Sequence, residues 1–283
     1  MSYRVEVLAD SIADRKRLTT LCVEMPRFIL AEFNTHRVFS RNSASSRAIP
    51  VEKRIAMLLS DPFIPEAFQA NQRGMQGGEV LDAIAQERAK QIWLEATASA
   101  VKHAKALAAA GVHKQWANRI IEPYAWHKVI VSATEWKNFL RLRKHKAAQP
   151  EIRVVADMIE EALAGSKPEP LAPGDWHLPM ISEEDYEMAM KPEIDYGWLV
   201  KLSVARCARV SYLTHDRQVI DREADVTLHN TLILDGHMSP TEHQALVLDW
   251  DEVPGKQFGN FAAPFWQYRK QIPGEAIFGG DDE

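Results

Sequence analysis

One stretch of the chain, residues 33–51, contains arginines and hydroxyl residues but no Asp or Glu. Its centre, residues 35–47, reads THRVFSRNSASSR and includes Arg37, Arg41 and Arg47. Arginine offers a rigid donor fork that matches phosphate or carboxylate oxygens two at a time. Serine hydroxyls and backbone N–H groups in a tight turn add further donors for an anion. The stretch therefore predicts an anion-binding pocket; the competing interpretation is a solvated basic loop whose arginines pair with distant acids.

A second segment whose residues could carry out chemistry is GHMSPTEH, residues 236–243, because histidine and glutamate are common metal ligands. His237 and His243 are six residues apart, whereas the helical zinc motif places its histidines four apart. Pro240 would also interrupt a helix between them. The spacing therefore disfavours a metal-dependent hydrolase that uses these histidines with Glu242, and we expect no metal ligands here.

The composition of the whole chain limits the classes of protein to consider. Its 283 residues include 34 Lys+Arg and 39 Asp+Glu, for a formal net charge of −5. A hydrophobic fraction of 46% and a charged fraction of 26% are ordinary for a globular protein and exclude a disordered or fibrous chain. No apolar run approaches the roughly 20 residues that span a bilayer, and no signal peptide is visible. We therefore expect no membrane partner, and the mild acidity argues against nucleic-acid binding.

The cysteine content points to a reducing compartment. Cys22 and Cys207 are the two cysteines of the sequence, which is too few for a disulfide framework. Neither lies in a motif that resembles a catalytic nucleophile, so we expect both to be small buried hydrophobic residues.

The elements that must position these residues are mostly helical. The pattern predicts strands at 3–8 and 17–25, and a further strand at 244–250. Helices are predicted at 27–37, 51–60, 79–110, 134–147, 150–164, 182–190, 194–209 and 222–235. Residues 165–180, dense in Pro and Gly, predict a linker, and the tail after Gly279 is predicted to fray. The fold class is α+β, helix-rich, with a small sheet.

The arginine stretch resembles the signature R-H-R-x-x-S-x-N-x-x-S-x-R of the flavin-dependent thymidylate synthases. Six of its seven fixed positions match: His36, Arg37, Ser40, Asn42, Ser45 and Arg47. Thr35 stands in place of the first arginine.

Two blocks further along the chain agree with the same family. Residues 118–123 read NRIIEP, where the family carries A-R-x-x-L-P. Residues 138–153 read NFLRLRKHKAAQPEIR, similar to a family helix N-F-L-x-L-R-x-x-x-x-A-Q-x-E-I-R. The residues with family counterparts are Arg119, Asn138, Arg143, Gln149, Glu151 and Arg153. For Arg143, the competing interpretation is an exposed helix cation.

A third block lies out of the family's order. A run like A-R-V-S-Y, and then G-H-x-S-P-x-E-H, precede the arginine signature in the family, but here they occupy residues 208–212 and 236–243. The resemblance therefore implies a circularly permuted member with a mostly antiparallel sheet, folded as a single domain over residues 1–283. The linker at 165–180 would join the permuted halves. We expect the three blocks to converge in space, since permutation is tolerated where chain termini are close and exposed.

The resemblance implies an FAD-dependent one-carbon transferase. Such an enzyme moves a one-carbon unit from methylene-tetrahydrofolate to C5 of a pyrimidine deoxynucleoside monophosphate, converting dUMP to dTMP, with NADPH as the usual reductant. Cofactors carry the difficult chemistry, while the protein binds, orients and polarises. The implied partners are the nucleotide and folate substrates and three further copies of the chain in a homotetramer. The implied location is the cytosol of a bacterium or of a phage-infected host.

The resemblance also assigns roles to individual residues. Those matching the family's nucleotide-binding positions are Ser45, Ser46, Arg47, Arg119 and Arg143. Those matching positions that hold FAD are His36, Arg37, Asn138, Ser239 and Glu242. Two residues are implied in catalysis: Arg143, by stabilising negative charge on the ring carbonyl, and His237, by assisting proton or hydride steps.

Departures from the family pattern leave the substrate open. Thr35 replaces an arginine, Ser43 stands where a glutamate is common, and Glu32 lies near a position usually held by glutamine. One alternative is a dCMP hydroxymethylase or methylase, and a more distant one is a nucleotide-binding protein that has lost catalysis. Near the C-terminus, Gln267-x-Arg269 resembles the Q-x-x-R before the family's histidine. One hypothesis is that Arg269 supplies the cation lost at Thr35; the competing interpretation is an ordinary amphipathic surface strand or helix.

Overall fold

The computed structural model describes residues 2–192, 194–212 and 221–274, without the side chains of residues 211 and 212. The tail predicted to fray after Gly279 lies outside the described residues. The strands are β1 (Arg4–Ala13), β2 (Lys16–Pro26), β3 (Ser40–Ser43), β4 (Trp126–Ala133), β5 (Glu169–Pro170), β6 (Trp176–His177), β7 (Ala245–Val247) and β8 (Phe265–Gln267).

Within the described residues, helices are more numerous than strands and contain more residues. The α-helices are α1 (Leu30–Phe33), α2 (Val51–Ser60), α3 (Ala83–Ala109), α4 (Lys114–Ala117), α5 (Lys137–Arg143), α6 (Pro150–Gly165), α7 (Glu183–Ala189), α8 (Gly197–Ala208) and α9 (Arg222–Leu234). Short 3₁₀ helices occupy Arg27–Ile29, Asn118–Tyr124, Arg209–Tyr212, Ser239–Glu242, Trp250–Glu252 and Tyr268–Gln271.

The strands form two small sheets. The first has the order β3-β4-β2-β1-β5, with every pair antiparallel except the parallel β1–β5 pair. The second is antiparallel, with the order β6-β7-β8. The predicted fold class, a helix-rich α+β fold with a small and mostly antiparallel sheet, is therefore confirmed.

Local signals predicted several elements correctly. Helix α2 has the predicted bounds, and Pro150 lies in the first turn of α6, where its missing N–H is not needed. Helix α3 begins after Asp82, whose side chain accepts from the Ala85 N–H. Gly111 follows its last turn at φ +78°, a backbone conformation that glycine adopts without steric cost.

The prediction missed β3, β4 and the three-residue β8, as well as the two-residue strands β5 and β6. Strand β4 lies between β2 and β3, and most of its side chains are buried, so its sequence lacks the alternation of a half-exposed strand. Strand β3 reads SRNS and has no hydrophobic pattern. Its conformation comes from pairing with β4, in which Asn42 lies opposite Ile130.

Two other predictions were wrong in extent. The helix expected at 27–37 ends at Phe33, because the chain must turn there to enter β3. The segment at 165–180 is more than a linker, since Glu169–Pro170 pairs with β1 and Trp176–His177 pairs with β7.

The main core lies between the first sheet and helix α6, and it extends to an aromatic cluster under the arginine stretch. Phe139 of α5 is central to that cluster. Its ring centroid lies 5.6 Å from that of Phe33, 5.3 Å from that of Phe39 and 4.9 Å from that of His36. These contacts hold the start of the arginine stretch against α5.

Candidate active site

Strand β3 connects the arginine stretch to the C-terminal part of the chain. Asn42 Nδ2 donates to the Cys207 carbonyl oxygen (2.8 Å), and Asn42 Oδ1 accepts from Ser239 Oγ (3.2 Å). Ser40 Oγ accepts from Gln267 Nε2 (2.8 Å). The predicted convergence of the third block with the arginine stretch is therefore confirmed. Asn42 was not among the predicted ligands, although its fixed place in the signature was a signal for it.

A cleft of about 340 Å³ opens where these segments meet. Its lining residues are Asn42, Ser45, Arg47, Ala48, Ala208, Leu232, His237, Ser239 and Pro240. Four predicted site residues, Ser45, Arg47, His237 and Ser239, therefore share one cleft although they come from opposite ends of the chain. A volume of this size lies at the lower end of the range of small-molecule sites.

The cleft and its surroundings carry uncompensated positive charge. Arg47 and Arg37 are exposed, and the side chain of neither makes a hydrogen bond or ion pair within the described part of the chain. Burial, together with the nearby charge of Arg37, lowers the pKa of Arg41 even though Glu242 acts against it. A guanidinium without a protein partner is available to an anionic ligand.

A second group of site residues centres on Arg143. Its Nε donates to His36 Nε2 (2.8 Å), and its Nη2 donates to Thr35 Oγ1 (2.9 Å) and to the Glu32 carbonyl oxygen (3.1 Å). Burial, then the charges of Arg143 and Arg41, lowers the pKa of His36 to about 4. His36 is therefore neutral near pH 7, with Nε2 as the acceptor and its proton on Nδ1.

An unsatisfied acceptor lies beside this group. Glu32 Oε2 is buried and has no hydrogen-bond partner among the described residues. Buried polar atoms usually have a partner, so this oxygen could accept from a ligand hydroxyl or N–H group.

Glu242 belongs to a third group, at the edge of the second sheet. Its carboxylate pairs with Arg269, and its carbonyl oxygen accepts from Gln267 Nε2 (2.9 Å). Arg269 is thus tied to a predicted cofactor residue. Its proposed replacement of the arginine lost at Thr35 stays a prediction.

Several predicted site residues do not line the cleft. Ser46 donates its hydroxyl to Glu122, and Arg119 Nη1 lies 3.6 Å from the same carboxylate. Asn138 is exposed on α5 and accepts from Arg141 (3.1 Å). Arg143 and its neighbours form the separate group described above. Glu122 was missed at the sequence level, where the only signal for it was its departure from the family's leucine.

The histidines of residues 236–243 lie in different environments. His237 is exposed at the cleft, whereas His243 is fully buried, with Nδ1 at 2.8 Å from the Ser132 hydroxyl. Burial lowers the pKa of His243 to about 3. Within residues 2–192, 194–212 and 221–274, no group of three or more His, Cys, Asp or Glu side chains could hold a metal ion.

Both cysteines are free. Cys207 is fully buried, as expected, and Cys22 is partly buried. Burial raises the pKa of Cys22 to about 11 and that of Cys207 further still. Neither thiol is therefore an activated nucleophile near pH 7.

The fold is helix-rich α+β, and exposed arginine lines its cleft. Residues 10–169 match the model of the family described as thymidylate synthase complementing protein. The match spans more than half of the chain, and the chain belongs to this family. The matched residues include the arginine stretch and the block at 138–153, but not the block at 236–243.

Solved structures offer a more distant likeness. Two are crystal structures of a UMP/dUMP methylase PolB from Streptomyces cacaoi, one bound with 5-Br UMP and one with 5-Br dUMP. Both are 17% identical to this chain and cover 58% of it, with 89% and 90% of their own chains aligned and TM-scores of 0.49 and 0.48. No curated protein sequence matches the chain. Within the described residues, no helix combines the length and apolarity that crossing a membrane requires.

Proposed function

We propose that the protein transfers a one-carbon unit from methylene-tetrahydrofolate to C5 of a pyrimidine deoxynucleoside monophosphate, with dUMP as substrate and dTMP as product. Membership of the thymidylate synthase complementing family supports the reaction class. The observation that carries the proposal is a cleft lined by Ser45, His237 and Arg47. The side chain of Arg47 has no partner among the described residues. We place the reaction in a reducing cytosol, in keeping with the two free thiols.

The residues of the cleft suit a nucleotide. Arg47 would bind the 5′-phosphate through two parallel N–H···O bonds, with a hydroxyl donor from Ser45. His237 would lie on the side of the base, where it could move a proton at the reacting carbon. Arg143, which lies outside the cleft of its own chain, would stabilise negative charge on the ring carbonyl and so make C5 more nucleophilic.

The residues proposed to hold FAD offer a suitable set of donors and acceptors. Arg37 is exposed and partnerless, which suits a pyrophosphate, and Asn138 is exposed for hydrogen bonding. Glu32, whose carbonyl oxygen accepts from Arg143, has a buried carboxylate oxygen with no partner among the described residues. The proposed set also includes His36, Ser239 and Glu242. When bound, the flavin would supply the hydride for the transferred carbon, with NADPH as the source of electrons.

The separation of the site residues supports an oligomeric enzyme. Arg119, Asn138 and Arg143 do not line the cleft of their own chain. We therefore propose a homotetramer in which a second copy completes each site, and a single permuted domain spanning residues 1–283.

One observation favours dCMP as an alternative substrate. Thr35, which replaces the family's arginine, contacts Arg143 Nη2, and Arg143 is the residue proposed to meet the pyrimidine. A change at this contact bears on the choice between uracil and cytosine, because one mismatched buried group costs about 1–3 kcal/mol. The alternative product would be 5-hydroxymethyl-dCMP or 5-methyl-dCMP.

An activity assay tests the proposal. The chain is supplied with FAD and methylene-tetrahydrofolate and incubated with dUMP or dCMP, with and without NADPH. Mass spectrometry then measures the mass of the nucleotide product. We expect a methyl increment on dUMP that requires both FAD and NADPH. A hydroxymethyl increment on dCMP without net reduction would establish the alternative, and no increment on either nucleotide would overturn both.

A further inference from the structure

The arginine stretch continues from β3 into a loop, residues 44–49, which we call the nucleotide loop. Its residues occupy two environments. Ser45, Arg47 and Ala48 line the cleft, whereas Ser46 and Ile49 are buried. The side away from the cleft meets the helical segment 114–122.

Asn118 holds the backbone of this loop. Its side chain is fully buried, and Nδ2 donates to the carbonyl oxygens of Ser46 (2.7 Å) and Ile49 (2.9 Å). A side-chain amide has two N–H donors, so both are used on the loop. Lys114, one helical turn earlier, donates from Nζ to the Ala48 carbonyl oxygen (3.1 Å).

Glu122, one further turn along, holds the side chain of Ser46. Its carboxylate accepts the Ser46 hydroxyl, and its Oε2 lies 3.6 Å from both Arg27 Nε and Arg119 Nη1. The two arginines hold the carboxylate in place, and the carboxylate takes the only hydroxyl proton of Ser46. That proton is therefore directed away from the cleft.

The two anchoring residues depart from the family motif that this segment resembles. In the family pattern A-R-x-x-L-P, alanine and leucine occupy the positions of Asn118 and Glu122. An aliphatic side chain can neither donate to the loop carbonyls nor accept from Ser46. A stray surface ion pair would not explain why both departures contact the same loop.

We propose that Asn118 and Glu122 are positioning residues that fix the nucleotide loop and thereby set the affinity for the 5′-phosphate. Ser46 acts as the loop's anchor, and the phosphate ligands are its neighbours Ser45 and Arg47. The inference rests on the proposed function, because it requires a nucleotide phosphate at the cleft. Preorganised donors bind more tightly because less ordering is needed on association.

A double-mutant cycle tests the inference in the full-length chain. The variants Ser46→Ala, Glu122→Ala and the double variant are titrated calorimetrically with dUMP and with deoxyuridine. Each single variant should raise the Kd for dUMP about tenfold, the double variant should cost no more than one of them, and the Kd for deoxyuridine should not change. Glu122→Gln, which keeps an acceptor oxygen, should recover part of the affinity. Glu52→Ala, an exposed carboxylate just beyond the loop, is the matched control.

Two results would overturn the inference alone: single variants that bind dUMP as the parent does, or effects that add in the double variant. A parent chain that binds neither dUMP nor dCMP would overturn the proposed function. Even in that case, hydrogen exchange tests whether Glu122 and Asn118 hold the nucleotide loop. The Ala48 amide, bonded to the Ser45 carbonyl oxygen (3.1 Å), should exchange faster in Glu122→Ala and in Asn118→Ala. Unchanged exchange in Glu122→Ala would show that the carboxylate does not hold the loop.

Discussion

Arginine is used in opposite ways at the cleft and among helices α7, α8 and α9. Arg47 is exposed at the cleft, and its side chain has no partner in the part of the chain that the structure describes. Arg206 is buried, and its guanidinium pairs with Asp185 and, at 3.1 Å, with Asp225. Both positions carry the same side chain in the same protein. The two arginines differ in whether a carboxylate of the protein pairs with the guanidinium.

The paired arginines stabilise the fold. Asp185 is fully buried and accepts from Arg206 and, at 2.7 Å, from Arg222, while Asp225 also pairs with Arg209 at 2.7 Å. These bonds join α7, α8 and α9. The charges of this group are compensated within the protein, whereas the exposed guanidinium of Arg47 is left to water or to an external anion.

The largest effect is expected from breaking the paired group. Arg206→Ala removes a cation from both buried carboxylates, leaving Asp185 with Arg222 and Asp225 with Arg209. The change should lower the free energy of unfolding by about 3–5 kcal/mol. Urea denaturation followed by circular dichroism measures the change. A loss below about 1 kcal/mol, the range of an exposed pair, would contradict a structural role.

The next effect concerns the partnerless arginine. Arg47→Ala should raise the Kd for dUMP about 10- to 100-fold, since a hydrogen bond to a charged group contributes about 1.5–3 kcal/mol. The melting temperature should not change, because the side chain has no protein partner to lose. Calorimetric titration and a thermal melt measure the two quantities.

Arg73→Ala, which removes another exposed arginine, is the control for the net charge. If Arg73→Ala weakened dUMP binding as much as Arg47→Ala does, the cleft would not be the phosphate site.

A smaller effect is expected at low pH, where protonation of Asp185 should weaken the paired group. Burial alone would raise the pKa of Asp185, but hydrogen bonds from Arg206, Ser182 and Arg222 outweigh it and hold the pKa well below its usual range. A depressed folded-state pKa contributes stability above the unfolded value of about 3.9, and that stability is lost as the pH falls below it. The urea midpoint should therefore fall below pH 4.

Asp185→Asn provides the comparison for the acid effect. Its urea midpoint should be lower than that of the parent near pH 7, but should fall less steeply below pH 4, since the titrating group has been removed. Parallel curves for the two proteins would show that other carboxylates cause the acid effect.

The smallest effect is expected at the third group. Arg269→Ala removes the cation paired with Glu242 and should weaken FAD binding a few-fold, in line with about 1 kcal/mol for a half-exposed pair. Flavin fluorescence quenching measures the Kd. If the affinities for FAD and dUMP were both unchanged, Arg269 would not be part of the site.

The sequence predicted what depends on local pattern. The β-branched run of residues 17–25 and the apolar spacing of 51–60 gave β2 and α2, since their signals lie within the elements. Strand β4 was missed because burial on both faces removes alternation. Strand β3 was missed because its polar residues are ordered by pairing with β4.

The candidate site shows the same limit. The resemblance to a permuted family member predicted that the arginine stretch and the block at 236–243 converge, and Ser45, Arg47, His237 and Ser239 do line one cleft. The bond from Arg143 to His36 could not be predicted, because it depends on how Phe139 packs beneath the arginine stretch. Side-chain partners over long separations follow from tertiary packing, which no motif encodes.

The central claim is that the partnerless arginine of the cleft binds the phosphate of a pyrimidine nucleotide. A crystal structure of the chain with 5-bromo-dUMP tests it most directly, because anomalous scattering from bromine marks C5 independently of the rest of the ligand. We predict the bromine in the cleft beside His237, with the phosphate on Arg47 and Ser45. A bromine peak outside this cleft, with Arg47 still partnerless, would contradict the account.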